Sequence, residues 1–335
     1  MNQCRCKEGR NTLYSKQLII ELPSYEEHCQ MGCKHCIHEE SNYEEGVSLT
    51  EKEIVGLLEE GRKLGFEKVI LYPHRSDVTL NFKQYKPFFK KARELGFWIK
   101  SITSGASHEG MKALLPWVDQ LSFSVDSLDR DEYTHFRSTR AYANLWLSLD
   151  HIAHERSLRE LPVTALVMVD KSTMNTVERR CKEIWNMGFF DRIKVRELLP
   201  LGKAKKEEFH ALNDDEVLHV SLINQHYGEQ QKSEDSRDAR ACRFKCHNRI
   251  VLPEVVSRGC CSSFFQRDTL VVGPHGELSD CVLLYYMQKE GDNLRTYDSL
   301  EALMKVQNSG TIFACEQSCN TGTSSCIART KLGLV

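Results

Sequence analysis

Three cysteines stand close together near the start of the chain, with the spacing Cys-x3-Cys-x2-Cys. They are Cys29, Cys33 and Cys36, and they directly follow a short apolar run. Three thiolates on one tight loop do not complete a tetrahedral structural zinc site, which needs four ligands. They can hold three irons of a 4Fe-4S cluster and leave the fourth iron open. A zinc knuckle completed by His28 or His35 is the alternative that this spacing leaves open.

The remaining cysteines are clustered as well. The chain has 335 residues and 14 cysteines, yet only Cys181 lies between residues 37 and 241. Because the first residues, MNQCRCKEGR, contain no apolar signal-peptide core, we expect a cytoplasmic protein whose thiols stay reduced. Metal or redox chemistry is then favoured over a disulfide framework. Cys181 falls within a helical pattern and is predicted to be a small buried hydrophobe.

The overall composition excludes several classes of protein. Lys and Arg number 45, Asp and Glu 47, the formal net charge is −2, and 41% of residues are hydrophobic. These values are typical of a globular protein and argue against disorder and against a strongly basic nucleic-acid binder. The apolar runs, such as 163–169, are about seven residues long, well below the roughly 18 that span a bilayer. We therefore expect no nucleic-acid partner and no membrane association.

Short apolar runs alternate with amphipathic stretches between residues 18 and 200. The predicted strands are 18–22, 69–72, 97–103, 120–125, 163–169 and 193–198. Between them, helices are predicted from the Thr50–Glu53 capping box to Gly65, and over 82–95, 108–115, 141–155 and 177–187. This alternation predicts an α/β fold with a parallel sheet, and six βα units make a partial (β/α)6 TIM-like barrel. The cysteine triplet then lies at the carboxyl ends of the strands, where such barrels carry their sites.

Shifts in composition divide the chain into four predicted parts. They are an N-terminal extension (1–17), the barrel (18–204), a charged helical linker (205–241) and a small cysteine-rich domain (242–335). The linker tracts KAKKEEFH and EQQKSEDSRDARA are poor in large apolar residues, which favours a solvated connector over a binding patch. A hairpin-like segment is predicted over 270–280.

The triplet, the aromatic His35 before its last cysteine, and the six βα units together resemble the radical SAM superfamily. The resemblance covers roughly residues 16–204. It implies that Cys29, Cys33 and Cys36 bind a 4Fe-4S cluster whose fourth iron is chelated by S-adenosylmethionine. It also implies an electron donor such as flavodoxin or ferredoxin, reductive cleavage of S-adenosylmethionine, and a 5′-deoxyadenosyl radical that removes hydrogen from an unactivated C–H bond.

Other positions match the superfamily more loosely. Ser104 follows the third predicted strand, Ser124 and Asp126 close the fourth, and Arg137 comes shortly after. In radical SAM enzymes, residues at these places lie near the bound cofactor. The resemblance therefore implies cofactor contacts for these four residues and for His35.

The end of the second strand departs from the superfamily pattern. Relatives carry Gly-Gly-Glu-Pro there, which grips the methionine amino group, whereas residues 71–77 read Leu-Tyr-Pro-His-Arg-Ser-Asp. Without the glycines the backbone must approach the ligand differently. We expect Asp77 or the Tyr72 carbonyl to replace the lost contact.

The C-terminal cysteines resemble the SPASM or twitch extension of radical SAM enzymes. A Cys-x14-Gly-x4-Cys segment over 261–281 fits its spacing, whereas the later cysteines depart from the full SPASM pattern. The resemblance implies a twitch domain with one auxiliary 4Fe-4S cluster. Its ligands are then Cys261, Cys281, Cys315 and Cys319, with Cys326 and Cys260 as substitutes. The alternatives are a second cluster, drawing on Cys242, Cys246, Cys260 and Cys326, and a zinc ribbon.

The substrate is left open between two classes. About 17 residues precede the first strand, too few for the peptide-leader domain of many relatives, which favours a small biosynthetic intermediate such as an aminosugar or cyclitol. Maturation of a ribosomal peptide or protein is the alternative. The outcome is oxidation, or epimerisation if a thiol such as Cys246 or Cys260 returns hydrogen. A non-catalytic metal-binding or redox-sensing protein is the remaining hypothesis.

Overall fold

The computed structural model describes residues 17–25, 29, 31–36, 48–198, 202–205, 209–229, 269–273, 275–276 and 278–279. Within these residues the strands are β1 (Gln17–Leu22), β2 (Lys68–Pro73), β3 (Trp98–Thr103), β4 (Gln120–Ser124), β5 (Val163–Val169), β6 (Arg192–Glu197), β7 (Thr269–Val272) and β8 (Leu278–Ser279). The α-helices are α1 (Glu51–Lys63), α2 (Phe82–Glu94), α3 (His108–Leu114), α4 (Arg130–Phe136), α5 (Thr139–Leu158), α6 (Val177–Trp185) and α7 (Asp214–Glu229).

The strands of the described residues form one sheet in the order β6-β5-β4-β3-β2-β1-β7-β8. Strands β1 to β6 are parallel and lie side by side in chain order, with helices between them. This is the predicted partial (β/α)6 barrel, and the fold class is confirmed. Strand β7 pairs in parallel with the free side of β1, and β8 is antiparallel to β7. The predicted 270–280 hairpin therefore extends the barrel sheet.

Each strand presents one face to the helices and one to the barrel interior. On β1 the alternation puts Leu18, Ile20 and Leu22 in the large apolar core that the helices cover. The intervening Ile19 joins a small interior cluster with Ile70, Val271, Tyr72 and Ile102. Side chains alternate along a strand with period two, so the same register assigns a face to every other strand position.

Side-chain caps fix where the helices begin. Thr50 Oγ1 accepts from the Glu53 amide at 3.2 Å while Glu53 Oε2 accepts from the Thr50 amide at 2.8 Å, which is the predicted capping box. Asp129 Oδ1 caps α4, a helix that the sequence analysis did not predict. Ser138 Oγ caps α5 directly afterwards. The short segment between these two helices contacts the cysteine loop.

Helix α7 covers the outer edge of the sheet. Its Asn224 side chain accepts from the Val195 amide at 2.7 Å and donates to the Val195 carbonyl at 3.0 Å. Since β6 is the last strand on that side, Asn224 satisfies backbone groups that an edge strand leaves open. Val220 and Ile223 of α7 are buried in the main core. The helix predicted within the charged linker thus packs against the barrel.

No helix in the described part of the chain is both long enough and apolar enough to cross a membrane.

Candidate functional site

The cysteine loop follows β1 and is held by backbone hydrogen bonds from distant parts of the barrel. The Lys34 amide donates to the Phe136 carbonyl at 2.9 Å, and the Lys203 amide donates to the Cys36 carbonyl at 2.9 Å. Gly32 has φ +60°, and a Cβ there would lie 3.3 Å from Ser138 Cβ. A glycine suits this position because the backbone is left-handed and the neighbouring helix start is close. The loop is therefore fixed against the α4–α5 junction.

Cys29, Cys33 and Cys36 are free thiols and all three are partly buried. Burial raises the pKa of the Cys29 thiol to about 12, although a hydrogen bond with the Met31 backbone opposes the rise. Burial also raises the pKa of Cys33, against the positive charge of Arg137. A thiolate in this setting needs positive charge beside it, from a cation or a metal.

Arg137 connects the cysteine loop to the ends of two strands. Its Nη1 donates to Cys33 Sγ at 3.2 Å and to Ser104 Oγ at 2.8 Å, while its Nε donates to Asp126 Oδ2 at 2.5 Å. The side chains of Arg137 and Asp126 are 4% and 0% exposed. One buried guanidinium thus brings four of the residues singled out in the sequence into direct contact.

Asp126 holds this guanidinium in place. Its second oxygen accepts from the Met168 amide of β5 at 2.9 Å. Burial alone would raise the pKa of Asp126, but the Arg137 charge, His35 and the hydrogen bonds from Arg137 and the Met168 amide together outweigh it, and the net shift is downward. The carboxylate is therefore charged, and the pair carries matched charges in a dry site, which is the condition under which buried charges are tolerated.

Asp77 orders two loops at the same end of the barrel. Its Oδ1 accepts from the Thr79 amide, the Thr79 hydroxyl and the Thr103 hydroxyl at 2.6 to 3.0 Å. Its Oδ2 accepts from the Ser104 amide at 2.7 Å. A carboxylate offers about four acceptor positions, so these protein donors use most of them. Asp77 thereby positions Ser104, which itself contacts Arg137.

The segment that stands where relatives carry Gly-Gly-Glu-Pro contains a residue with a left-handed backbone conformation. Arg75 has φ +51° and is the one non-glycine residue with positive φ in the described part of the chain. A left-handed conformation is uncommon for a residue with a Cβ. Beside it, His74 Nδ1 lies 3.3 Å from Oε1 of the fully buried Glu21. The chain therefore makes a tight left-handed bend here without either glycine.

His35 packs against the α4 terminus. Its Nδ1 lies 3.2 Å from the Phe136 carbonyl, and its ring meets the Phe136 ring edge-on at 5.9 Å. Burial and then the Arg137 charge lower the pKa of His35 to about 4. The ring is neutral near pH 7, so Nδ1 donates to that carbonyl and is not available as a metal ligand.

Two of the predicted cofactor residues lie apart from the Arg137 contacts. Ser124 is a partly exposed residue at the end of β4, and Tyr72 lies on the interior face of β2 beside Ile70. Neither makes a described hydrogen bond to Arg137, Asp126 or the cysteines. They flank the site from inside the barrel.

Arg180 is a contributor that the sequence analysis missed. It is fully buried on α6, and its Nη1 donates to the carbonyls of Asp126 and Met168 at 2.9 and 3.1 Å. Its guanidinium lies 5.8 Å from the Phe136 ring centroid. The available signal was its place in α6, because Val177 and Ile184 at helical spacing put position 180 on the buried face. Cys181, next to it, is a fully buried free thiol as predicted.

The donor set of the loop fits an iron–sulfur cluster. Three soft thiolates from one short loop are the ligands that such clusters take. Among the residues described, no three His, Cys, Asp or Glu side chains converge on a single metal ion. Thiolates that each bind a different iron need not converge on one point. The predicted auxiliary ligands Cys261, Cys281, Cys315, Cys319 and Cys326, together with Cys242, Cys246 and Cys260, lie outside the described residues.

Comparison of the whole structure with solved proteins identifies similar folds. SuiB from Streptococcus suis aligns with a TM-score of 0.61 at 13% identity, over 91% of this chain and 68% of its own. The same protein bound to precursor peptide SuiA aligns with a TM-score of 0.62 at 12% identity, over 91% of this chain and 67% of its own. The protein anSMEcpe, with bound AdoMet and Cp18Cys peptide, aligns with a TM-score of 0.61 at 13% identity, over 88% and 81% of the two chains.

No protein-family profile matches the sequence, and no curated protein matches it either. The similar structures are radical SAM enzymes, and both proteins were solved bound to S-adenosylmethionine. At these identities the likeness concerns the fold, and it shows that this chain has the radical SAM fold. The resemblance drawn from the cysteine triplet and the βα units is confirmed at that level.

Proposed function

We propose that this protein is a radical SAM enzyme that acts on a peptide. The observation that carries the proposal is the Arg137 contact set, in which one guanidinium touches a triplet cysteine, Cys33, and two strand-end residues, Ser104 and Asp126. This contact set supports a cofactor site built around the triplet at the carboxyl ends of the barrel strands. A non-catalytic metal-binding protein has no need of this assembly around the cysteines.

In this proposal Cys29, Cys33 and Cys36 hold a 4Fe-4S cluster with one iron left open for S-adenosylmethionine. When bound, the two groups supply a 5′-deoxyadenosyl radical that takes hydrogen from an unactivated C–H bond. Arg137 donates to Cys33 Sγ and so offsets the negative charge of that thiolate. Asp126 is a positioning residue because it fixes the Arg137 guanidinium from the far side.

The peptide substrate replaces the small molecule that the sequence analysis favoured. Two proteins of similar fold were solved with peptides bound, SuiB with the precursor peptide SuiA and anSMEcpe with peptides named Cp18Cys and Kp18Cys. These structures support the peptide alternative better than the aminosugar or cyclitol reading. Oxidation or epimerisation as the outcome stays a prediction, as do the auxiliary cluster and the flavodoxin or ferredoxin donor.

The test is anaerobic reconstitution with iron and sulfide, followed by dithionite and S-adenosylmethionine, with 5′-deoxyadenosine as the readout. We expect about four irons per chain for each cluster formed and clear 5′-deoxyadenosine formation by the wild type. Cys33→Ala should abolish cleavage, whereas Cys181→Ala, which removes a buried thiol of α6 that is not part of the triplet, should retain it. Cleavage by Cys33→Ala, or none by the wild type, would overturn the proposal.

A further inference from the structure

The interior face of the barrel carries a group of positively charged side chains. Lys68 of β2 and Lys100 of β3 alternate with core residues on their strands, and Lys100 pairs in register with the interior residue Ile70. On β6, the core residues are Ile193 and Val195. Alternation then places three further cations on the interior face: Arg192, Lys194 and Arg196. We call these five residues the interior cations.

Lys100 lies within electrostatic range of the other four interior cations. Burial lowers the pKa of Lys100 to about 8, with further lowering by the positive charges of Lys194, Arg196, Arg192 and Lys68 in that order. Burial also lowers the pKa of Arg196, while the nearby Tyr72 of β2 acts in the opposite sense. Residues of β2 and β3 therefore lie within electrostatic range of β6. The cations share one space.

Carboxylates are scarce on this face. Lys100, Arg192 and Arg196 form no ion pair with any described residue, although arginines elsewhere do so, as in Arg93–Asp119 and Arg156–Asp191. The carboxylate of Glu21 on the same face lies beside His74. Like charges gathered in one region repel one another unless something negative joins them. For Lys100, Arg192 and Arg196, the described side chains do not supply that negative group.

We propose that the barrel interior binds an oxyanion group of the substrate, a carboxylate or a phosphate, between Lys100 of β3 and Arg196 of β6. The proposal rests on the proposed function, since it assigns the interior face to the substrate of the same barrel. Arg196 suits this task because a guanidinium offers two parallel donors to an oxyanion, and Lys100 adds a compact charge. The hydroxyls of Ser122 and Thr164, paired in register on β4 and β5, line the wall between them.

The test measures binding to the full reconstituted chain without requiring turnover. The probes are inorganic phosphate and two blocked pentapeptides that differ only by Glu or Gln at the central position. Trace labelling with acetic anhydride at pH 8, read by mass spectrometry, reports the reactivity of Lys100. Isothermal titration reports binding directly, also where labelling is slow. Exposed Lys90, on the outer side of α2 and paired with Glu94, is the internal reference lysine.

We expect phosphate or the Glu peptide, but not the Gln peptide, to bind and to slow the labelling of Lys100 while Lys90 is unaffected. Arg196→Gln should weaken that binding about tenfold or more, because one hydrogen bond to a charged group is lost, whereas Lys90→Gln should not. Binding of the Glu peptide supports both this site and a peptide substrate. Binding of phosphate alone supports the site and counts against the peptide. If no anionic probe binds, or if Arg196→Gln binds as the wild type does, the proposal is overturned, whatever the S-adenosylmethionine cleavage assay shows.

Discussion

The two faces of the barrel sheet differ in chemistry although they alternate residue by residue, because the inner face carries charged side chains beside a small apolar cluster. On β3, Ile99 points to the helices and is fully buried in the main core, while its neighbour Lys100 points to the interior. On β6, Ile193 and Val195 pack outward between three cations. The outer face supplies the apolar burial that stabilises the fold. The inner face carries the small apolar cluster around Ile19 and contributes less to that burial.

The rim at the carboxyl ends of the strands differs from both faces. There the cation Arg137 is matched by the buried Asp126, whereas Lys100, Arg192 and Arg196 on the interior face form no ion pair with a described residue. A paired charge positions its neighbours, and a group of like charges attracts a ligand. In the proposed function, these three regions serve folding, cofactor placement and substrate binding.

The largest expected effect lies at the rim. Asp126→Ala should lower the free energy of unfolding by about 3–5 kcal/mol, because Arg137 is left buried without its partner. The measurement is denaturant unfolding of the cluster-free protein. The double variant with Arg137→Met is the control and should recover much of the loss. An equally unstable double variant would show that the rim is held by something other than this charge pair.

The next effect compares adjacent residues on the two faces. Ile99→Ala should cost about 2–5 kcal/mol of unfolding free energy, since it opens a cavity in the core. Lys100→Met should change it by about 1 kcal/mol or less, and in the stabilising direction, because a repelled charge is removed. The same unfolding experiment measures both. A loss at Lys100→Met as large as that at Ile99→Ala would refute the division of the sheet into two faces.

A smaller effect is the pH dependence that Lys100 introduces. Its pKa is about 8 in the folded chain and about 10.4 unfolded, so between these values the unfolded chain binds the extra proton. Folding stability should therefore rise across this range in the wild type relative to Lys100→Met. Below pH 8 the loss of folding stability caused by the charged Lys100 is fully present. The charged groups that act on Lys100 are the other four interior cations. If the wild type and Lys100→Met showed the same pH dependence, Lys100 would not lie near the other interior cations.

Local patterns in the sequence predicted most of the barrel. The six strands and the Thr50 capping box follow from apolar periodicity and capping chemistry, which act over a few residues. Helix α4 was missed because five of its seven residues are polar, which leaves too few apolar positions for a helical period to stand out. The pairing of β7 with β1 was missed since about 250 residues separate them, and no local pattern encodes so distant a contact.

The sequence predicted the residues of the candidate site better than the contacts between them. The cysteine triplet, Ser104, Asp126 and Arg137 were all identified, but their joining through a single guanidinium depends on tertiary packing. Arg180 and the left-handed Arg75 were not anticipated, because a buried cation or a strained φ depends on what surrounds it. The charges alternate along β6 in the sequence, but they can be assigned to the barrel interior only when it is known which face of the strand is turned inward.

The most direct test of the central claim is the metal bound by the cysteine loop. We would purify the full chain without oxygen, measure iron, sulfide and zinc, and record the electron paramagnetic resonance spectrum after reduction, with and without S-adenosylmethionine. The account predicts a brown protein whose reduced spectrum changes when S-adenosylmethionine is added. In the triple alanine variant of Cys29, Cys33 and Cys36 that change should be lost. A colourless protein with zinc at the loop and no response to S-adenosylmethionine would contradict it.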